Sequence, residues 1–339
     1  MKRVIIAFNK WDEQLVQKAA RLGFREFLAE NPEQAPRDAI IYLEESGKRL
    51  KLAADGKRVE VPVVHVKTPT DLERVVELGR AGAGEVHVRA GDWKIIPLEN
   101  LIAMKRGLKI DVIAEAGSPS EAELMFGILE QGVDGVVVRV ANAGELELIN
   151  DVAKAPTSLR LDEAVVEEIK DVGMGDRVCV DTVAVLEYGE GLLVGSMARM
   201  FFLIHNESVG SAFTSPRPFR VNAGAVHSYV LMPDGKTKYL SEIGAGDRVL
   251  VVSSKGKTRI AAVGRAKVER RPMRLVRARI GESWGAVTVQ NAETIRFVTP
   301  DHKLISVTEL KEGDRILCHM APEKARHFGM AVDEMIIER

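Results

Sequence analysis

Charged and titratable side chains follow several short apolar runs in the first half of the chain, where they could transfer protons. Side chains two residues apart on a strand share a face, as His87 and Arg89 would. In parallel sheets the strand carboxyl ends meet at one edge, and charges gathered there acquire the shifted pKa values that acid–base catalysis needs. The alternative is that these charges only mark where strands meet water. The residues concerned are Lys10, His65, Lys67, His87, Arg89, Asp92, Glu115 and Arg139.

A second concentration of polar side chains lies in the stretch SPRPFRVNAGAVHSYV, residues 215–230. Neither a solvated loop nor a buried strand requires this mixture. Its prolines restrict the backbone, and the small residues 222–225 leave space for a ligand or a second backbone. The alternatives are that the arginines tie a loop down, that the asparagine shapes a turn, and that the histidine and tyrosine pack in a core. The polar residues are Arg217, Arg220, Asn222, His227 and Tyr229.

The elements that must position these groups differ between the two halves of the chain. Residues 1–156 alternate β-branched apolar runs with helical patterns, such as 68–82, which opens on a threonine N-cap and ends in glycine. Repeated β/α units predict a parallel sheet with right-handed crossovers. A full (β/α)₈ barrel takes about 250 residues, so we expect a small or incomplete TIM-like barrel, or an open sheet. The predicted strands are 3–8, 25–30, 39–43, 61–66, 85–90, 110–116 and 135–140.

The second half of the chain loses the helical periodicity. Residues 157–171 are interpreted as a partly helical connector, and 172–339 as a β-rich domain. A Gly-Asp-Arg phrase recurs at 172–182, 243–253 and, with isoleucine after it, 310–320. Glycine supplies turn dihedrals and aspartate caps the local backbone, so each phrase predicts a turn that leads into a short strand. The pattern is typical of an antiparallel β-barrel or sandwich.

The composition narrows the function classes. Lys and Arg (48) balance Asp and Glu (49), which predicts no nucleic-acid or membrane partner. No apolar run is long enough to cross a bilayer, and the N-terminus does not resemble a signal peptide. Two cysteines cannot form a disulfide framework. We therefore expect a soluble, cytoplasmic protein.

Cofactor motifs are weak or absent in the sequence. It contains no P-loop, no GxGxxG after a first strand, and no Cys/His spacing typical of zinc, so no metal site is predicted. The segment GEGLLVGS (189–196) contains three glycines but precedes a strand-like run instead of a helix. The basic run 255–279 is open to three interpretations: a solvated sheet face or subunit contact, an anion site, or a nucleic-acid-binding module.

Several phrases, in order along the chain, resemble the archaeal-type 3-dehydroquinate synthase family (dehydroquinate synthase II). The resemblance runs from end to end and is densest after residue 180. Phrases of several residues in the right order are more specific than any single motif. The phrases are 92–103, 129–138, 189–196, 215–230, 235–252, 290–298, 305–317 and 326–330.

The resemblance implies a reaction in two stages. NAD⁺ would oxidatively deaminate 2-amino-3,7-dideoxy-D-threo-hept-6-ulosonate, and an intramolecular aldol reaction would then close the ring to 3-dehydroquinate, a shikimate-pathway intermediate. A sister branch makes an aminohydroxybenzoate from an amino-heptulose phosphate, and the sequence does not separate the branches. The implied partner is this small molecule, and a homo-oligomer is compatible with the sequence.

The implied reaction also suggests site residues. The substrate carboxylate would be bound by Arg217 and Arg220, whose guanidinium groups grip carboxylates with two hydrogen bonds. Asn222 and Arg89 are further candidates for substrate binding. Amine deprotonation needs a general base, for which His227 is the first candidate and His205 the second.

Two further demands remain after deprotonation. Hydration of the imine and polarisation of the ketone would use Glu115, Lys67 or Tyr229. The pyrophosphate of NAD would be held by backbone amides in a turn. The residues proposed for that turn are Gly189, Gly191, Gly195 and Ser196.

Overall fold

A computed structural model gives the fold of the chain. The residues it describes are 1–30, 36, 38–45, 48–52, 57–91, 95–127, 132–211, 214–321, 325–327 and 330–332. The chain divides into two compact units, Met1–Lys154 and Ala155–Arg339. None of the described helices combines the length and apolar character needed to span a membrane.

In its described residues the first unit has nine strands and five helices. The strands are β1 (Arg3–Phe8), β2 (Glu26–Ala29), β3 (Ile40–Glu45), β4 (Lys48–Leu52), β5 (Arg58–Val61), β6 (Val63–Val66), β7 (Glu85–Ala90), β8 (Asp111–Ala116) and β9 (Gly135–Val140). The helices are α1 (Glu13–Leu22), α2 (Pro69–Arg80), α3 (Ile95–Met104), α4 (Pro119–Gly127) and α5 (Ala143–Lys154). Every predicted strand overlaps an observed one, whereas β4 was not predicted.

Local chemistry sets the helix starts, as the start of α2 shows. The backbone N–H groups of Lys67 and Thr68 donate to Asp71 Oδ2 at 2.9 and 2.8 Å. Pro69 occupies the first turn, where a missing N–H costs nothing. Thr68 is the N-cap residue, as predicted, and the Asp71 carboxylate accepts from its backbone N–H.

The sheet of the first unit is nearly closed and barrel-like. Its strand order is β5-β4-β3-β2-β1-β9-β8-β7-β6. The seven neighbouring strands β3-β2-β1-β9-β8-β7-β6 are parallel, whereas β4 pairs antiparallel with both β3 and β5. The edge strands β5 and β6 are separated in sequence by Pro62 alone. Interior side chains join strands far apart in this order, since Lys51 of β4 lies 3.0 Å from Glu85 of β7.

The TIM-like arrangement expected for this unit is not confirmed. Strands β3, β4, β5 and β6 follow one another along the chain with no helix among the described residues between them, so the β/α repeat is interrupted there. The interruption is hard to predict from sequence because KRLKL carries charges on both faces, and RVEV is too short for its alternation to stand out. What remains of the prediction is the parallel part of the sheet.

The second unit is antiparallel throughout its described pairings, as predicted. Its strands are β10 (Asp162–Thr182), β11 (Glu190–Met197), β12 (Met200–Glu207), β13 (Arg217–Ala225), β14 (Tyr229–Leu231), β15 (Thr237–Tyr239), β16 (Arg248–Ser253), β17 (Thr258–Ile280), β18 (Ser283–Gln290), β19 (Arg296–Val298), β20 (Leu304–Ser306), β21 (Arg315–Met320), β22 (Ala325–His327) and β23 (Met330–Val332).

Six of these strands pair in a closed ring, β11-β16-β17-β10-β13-β12 and back to β11. The long strands β10 and β17 pair with each other from Val165↔Arg279 to Thr182↔Val263. Beyond the ring, β10 also pairs with β21, and β17 with β18. The interior is apolar and includes Val180, Leu192, Phe202 and Val221.

Two of the three Gly-Asp-Arg phrases form the predicted turns. Gly246 and Gly313 adopt φ of 90° and 91°, in the left-handed region that favours glycine. The following aspartates cap the turn in the same way: Asp247 Oδ2 accepts from Gly244 N at 2.9 Å, and Asp314 Oδ2 accepts from the N–H three residues before it at 2.7 Å. Each turn leads into a strand, β16 and β21.

The first phrase was predicted wrongly. Gly175-Asp176-Arg177 lies inside β10 and pairs with Arg271-Arg270-Glu269 of β17. The predicted partly helical connector is corrected in the same way, because residues 162–171 are extended in β10. In both segments the ladder with β17 supplies the backbone hydrogen bonds and overrides the local sequence preference.

Candidate functional site

A polar cavity of about 390 Å³ lies in the second unit. Three neighbouring strands supply much of its wall, since Cys179 of β10 stands opposite Asn222 of β13 and Lys267 of β17. Alternate residues of a strand share a face, so Arg177 projects into the same cavity as Cys179. Arg217, Arg220 and Asn222, which the sequence suggested for substrate binding, all line this cavity.

The cavity wall carries more basic than acidic side chains. Such a wall concentrates positive potential in a confined space and favours an anionic ligand. The basic residues are Arg177, Arg217, Arg220, Lys267 and Arg271. The acidic residues are Glu207, Glu269 and Glu293.

Arg220 is held by a buried carboxylate. Its Nε and one terminal nitrogen donate to the two oxygens of Asp181 at 2.6 and 2.8 Å, and Arg265 contacts the same carboxylate. Burial alone would raise the pKa of Asp181, but the hydrogen bonds from Arg220 and Arg265 outweigh it and lower that pKa. Arg220 is therefore fixed in place and already committed to a partner.

Glu269 gathers three of the other cations. Arg177, Lys267 and Arg271 each place a nitrogen within 2.9 to 3.0 Å of its carboxylate. The hydrogen bond from Lys267 is the largest influence that lowers the pKa of Glu269. This cluster orders one side of the cavity and neutralises part of its charge.

Arg217 is the least committed of the cavity guanidiniums. Its terminal nitrogen lies 3.4 Å from Glu207 Oε2, which is long for a hydrogen bond. The side chain of Arg217 is 43% exposed and that of Glu207 6%. Exchanging such a long, half-exposed contact for a ligand costs little free energy. Arg217 is thus the residue best placed to grip an incoming carboxylate.

Cys179 also lines the cavity, beside Arg177. Burial raises the pKa of its thiol to about 11 despite the nearby guanidiniums. The sulfur is therefore protonated at neutral pH, and the reactive thiolate is scarce.

His227, the first candidate for general base, is not among the residues that line the cavity. It lies exposed in the turn between β13 and β14, with Nε2 3.4 Å from Ser196 Oγ. Tyr229 packs on Tyr239, with ring centroids 4.8 Å apart. The structure thus separates these residues from Arg217, although they are close in sequence.

His205, the second candidate, is buried in β12. Its Nε2 accepts from the backbone N–H of Gly189 at 2.9 Å, and its ring meets that of Tyr188 edge-on. Burial lowers the pKa of His205 to about 4, so the ring is neutral at physiological pH. This geometry gives His205 a role in holding the turn before β11.

The remaining glycines of segment 189–196 allow close packing of β11 on β12. A Cβ on Gly191 would stand 1.9 Å from the Ile204 carbonyl oxygen, and one on Gly195 would stand 2.2 Å from that of Met200. With the Gly189 amide already bonded to His205, the segment does not fit a pyrophosphate cradle.

In the first unit, the structure brings together Arg89 and Glu115, which join at 2.7 Å. Arg89 also pairs with Glu44, and the buried Arg49 contacts Glu115 at 2.7 Å. Lys67, predicted to act in catalysis, is exposed on β6's carboxyl side. The other strand-end residues Lys10, His65 and Arg139 are exposed too, and Asp92 lies outside the described residues.

His87 lies inside the barrel-like sheet and is fully buried. Arg49 donates to His87 Nδ1 at 2.7 Å, because a guanidinium can only donate, and Nε2 lies 2.7 Å from Glu85 Oε1. The proton of the ring therefore sits on Nε2. Burial lowers the pKa of His87 and keeps the ring neutral, so this group is part of an interior network of the sheet.

Several cavity residues were missed from sequence. Arg177 lay within a phrase interpreted as a turn, and Lys267 and Arg271 lay within the basic run 255–279. The alternation in that run was the available signal. Other cations of the run pair elsewhere, as Arg279 does with Glu167. Among the described residues, no group of three or more His, Cys, Asp or Glu side chains could hold a metal ion.

Comparison with known proteins covers both units. The family model for the 3-dehydroquinate synthase II N-terminal domain matches residues 1–153, and that for the C-terminal domain matches 163–339. A 3-dehydroquinate synthase of Korarchaeum cryptofilum is 43% identical over 338 residues, 100% of this chain and 99% of the relative. That of Nitrosopumilus maritimus is 47% identical over 306 residues, 88% and 84% of the two chains. No solved structure gives a significant match.

Proposed function

Because the chain belongs to the 3-dehydroquinate synthase II family, we propose that it forms 3-dehydroquinate from 2-amino-3,7-dideoxy-D-threo-hept-6-ulosonate with NAD⁺ as oxidant. The observation that supports this proposal is the basic cavity of the second unit, where the contact that holds Arg217 among the described residues is a long one to Glu207. A carboxylic acid substrate needs such a guanidinium. The product lies on the route to the aromatic amino acids.

The proposed chemistry begins at the carbon that carries the amine. Bound NAD⁺ would supply the two-electron oxidation there, so that the carbon would lose a hydride, the nitrogen a proton, and an imine would result. Water then replaces the nitrogen, ammonium leaves, and a ketone stands next to the carboxylate. The methyl carbon beside the other ketone loses a proton and attacks this new carbonyl, whose oxygen takes up a proton and becomes the hydroxyl of the ring product.

Within the cavity we assign the proton acceptor to Glu207 instead of His227. Its carboxylate lines the cavity beside Arg217, whereas His227 is outside the lining. A general base must lie within hydrogen-bonding reach of the proton that it removes. NAD⁺ is assigned to no residue, because segment 189–196 does not fit its pyrophosphate.

The direct test combines purified protein, NAD⁺ and the amino-heptulosonate. We expect the absorbance of NADH to rise. Because the oxidation removes two electrons, roughly one NADH should form for each molecule of ring product. Neither NADH nor 3-dehydroquinate from a folded protein would reject the proposal. Ring product from the phosphorylated amino-heptulose without added NAD⁺ would instead place the chain in the aminohydroxybenzoate branch.

A further inference from the structure

Side chains close the seam between β5 and β6, the two edge strands of the sheet in the first unit. No strand pairing joins these edges among the described residues, because the strand order begins with β5 and ends with β6. Two cations of β4, the neighbour of β5, reach across the interior. Lys51 Nζ lies 3.0 Å from Glu85 Oε2, and a terminal nitrogen of Arg49 lies 2.7 Å from Glu115 Oε1. These contacts tie β4 to β7 and β8, on the other side of the seam.

Arg49 makes the central contact across this seam. Its side chain is fully buried, and the terminal nitrogen that meets Glu115 also donates to His87 Nδ1 at 2.7 Å. Its other terminal nitrogen binds Glu44. One guanidinium on β4 therefore joins β3, β7 and β8. A buried cation has lost its water, so its place in the interior depends on these partners.

His87 can accept the hydrogen bond from Arg49 only while its ring is neutral. Both ring nitrogens are engaged, since Nε2 lies 2.7 Å from Glu85 Oε1 and a guanidinium can only donate to Nδ1. A proton added to Nδ1 would remove the lone pair that Arg49 uses. It would also place two cations in direct contact, in an interior where no water screens them, because His87 is 0% exposed.

The other groups around His87 do not remove this conflict. On β6 its neighbour is the apolar Val63. Glu85 favours a protonated ring, but Arg3 and Lys51 already bind its carboxylate. Burial, the largest influence, lowers the pKa of His87, and Glu85 offsets this only in part. A protonated ring therefore favours a state in which the guanidinium has moved away. The charged and titratable groups that face the ring are Tyr42 of β3, Arg49 of β4, Glu85 of β7 and Glu115 of β8.

We propose that the contact between Arg49 and His87 is a pH-sensitive switch that opens the seam of the sheet. When the ring binds a second proton at Nδ1, Arg49 is displaced and β4 and β5 separate from β7 and β8. Only hydrogen bonds and ion pairs break, and loss of the proton restores them. The seven parallel strands keep their backbone pairings, so the opening is local to the seam.

Hydrogen exchange of the full chain, followed by mass spectrometry at about pH 7.5 and about pH 5, tests the switch. Protection factors are corrected for the effect of pH on the intrinsic exchange rate. In β4 and β5 they should fall by about 10- to 30-fold between these values, because the ring of the open form titrates near the ordinary histidine pKa of about 6.5. Strand β9, inside the parallel ladder, should keep its protection. Equal protection of β4 and β5 at both pH values would overturn the proposal. Equal losses in β9 would also overturn it, since the whole unit would then be unfolding.

A neutral substitute identifies the residue responsible. His87→Gln keeps an acceptor for Arg49 and a donor for Glu85 but cannot bind a further proton, so the fall in protection should disappear. His65→Gln, a control that changes the exposed histidine of β6, should behave as wild type. A fall that persists in folded His87→Gln would overturn the assignment. If this variant does not fold, the wild-type onset decides: a fall that begins below about pH 6.5 supports a histidine, whereas one that begins only below about pH 4.5 belongs to a carboxylate and overturns the proposal.

Discussion

Arg217 and Arg220 are three positions apart in the sequence, yet their replacement by alanine should affect the protein in different ways. Both line the cavity, so both substitutions should lower kcat/KM. Arg220 is also the bidentate partner of Asp181, which is 5% exposed, whereas Arg217 makes one long contact from a half-exposed position.

The expected losses of stability follow from these contacts. Breaking a buried ion pair costs about 3 to 5 kcal/mol, and the remaining contact of Arg265 to Asp181 reduces this to about 2 to 4 kcal/mol for Arg220→Ala. In a unit of this size that lowers the thermal midpoint by about 5 to 15 °C. Arg217→Ala should cost less than about 1 kcal/mol, as exposed pairs do.

The expected losses of activity are set by the ligand. A charge-assisted hydrogen bond contributes about 1.5 to 3 kcal/mol, so Arg217→Ala should lower kcat/KM by roughly 10- to 150-fold. Calorimetric melting and steady-state NADH formation on the same preparations give both quantities. Arg265→Ala is the stability control, because it removes the exposed partner of the same carboxylate and should cost under about 1 kcal/mol.

Two results would refute this reasoning. Wild-type kcat/KM in Arg217→Ala would mean that the cavity does not bind the substrate carboxylate. An unchanged midpoint in Arg220→Ala would mean that the Asp181 pair does not stabilise the unit.

Three further predictions concern stability. The pKa of His205 is about 4 in the folded protein against 6.5 in the unfolded chain, so its contribution to the unfolding free energy is complete above pH 6.5 and falls by about 3 kcal/mol towards pH 4. His205→Gln should flatten this dependence on pH in urea titrations. An unchanged dependence would contradict the assignment. Gly191→Ala should lower the unfolding free energy by more than about 4 kcal/mol or prevent folding, because its Cβ would clash with the Ile204 carbonyl. Gly244→Ala, where a Cβ meets open space, should melt like wild type. Equal melting midpoints for the two variants would exclude the clash. Arg49→Met should lower the unfolding free energy by about 3 to 5 kcal/mol, because it leaves the partners of Arg49 inside the sheet without their cation. Lys48→Met, which removes an exposed ion pair, should cost under about 1 kcal/mol. Comparable melting midpoints for the two variants would refute the difference.

Much of the fold could be predicted because it is encoded locally. Strands β1, β7 and β9 have the bounds read from the sequence, because each is rich in β-branched residues, which favour strands. The charged strand β4 was missed because its partners inside the barrel-like sheet come from distant strands. A closed interior with ion pairs has no signature within a short window of sequence.

The candidate site was predictable only along β13. Arg217, Arg220 and Asn222 stand in one polar stretch, and the structure places all three in the cavity wall. Their neighbours arrive from other strands: Arg177 precedes them by about forty residues in β10, and Lys267 follows from β17, a spacing that sequence reading cannot convert into proximity. His227 illustrates the opposite error, since closeness in sequence did not bring it to the cavity.

The long pairing of β10 with β17 has a consequence for how the second unit folds. Val165 pairs with Arg279 and Thr182 with Val263, so about eighty to over one hundred residues separate the partners. Closing such loops is entropically unfavourable until many contacts form together, which predicts slow folding limited by the docking of these two strands. Because both strands continue from the ring into the pairings with β18 and β21, neither part can unravel while the other stays intact. We therefore expect amide protons along β10 and β17 to exchange last, and in a single cooperative event.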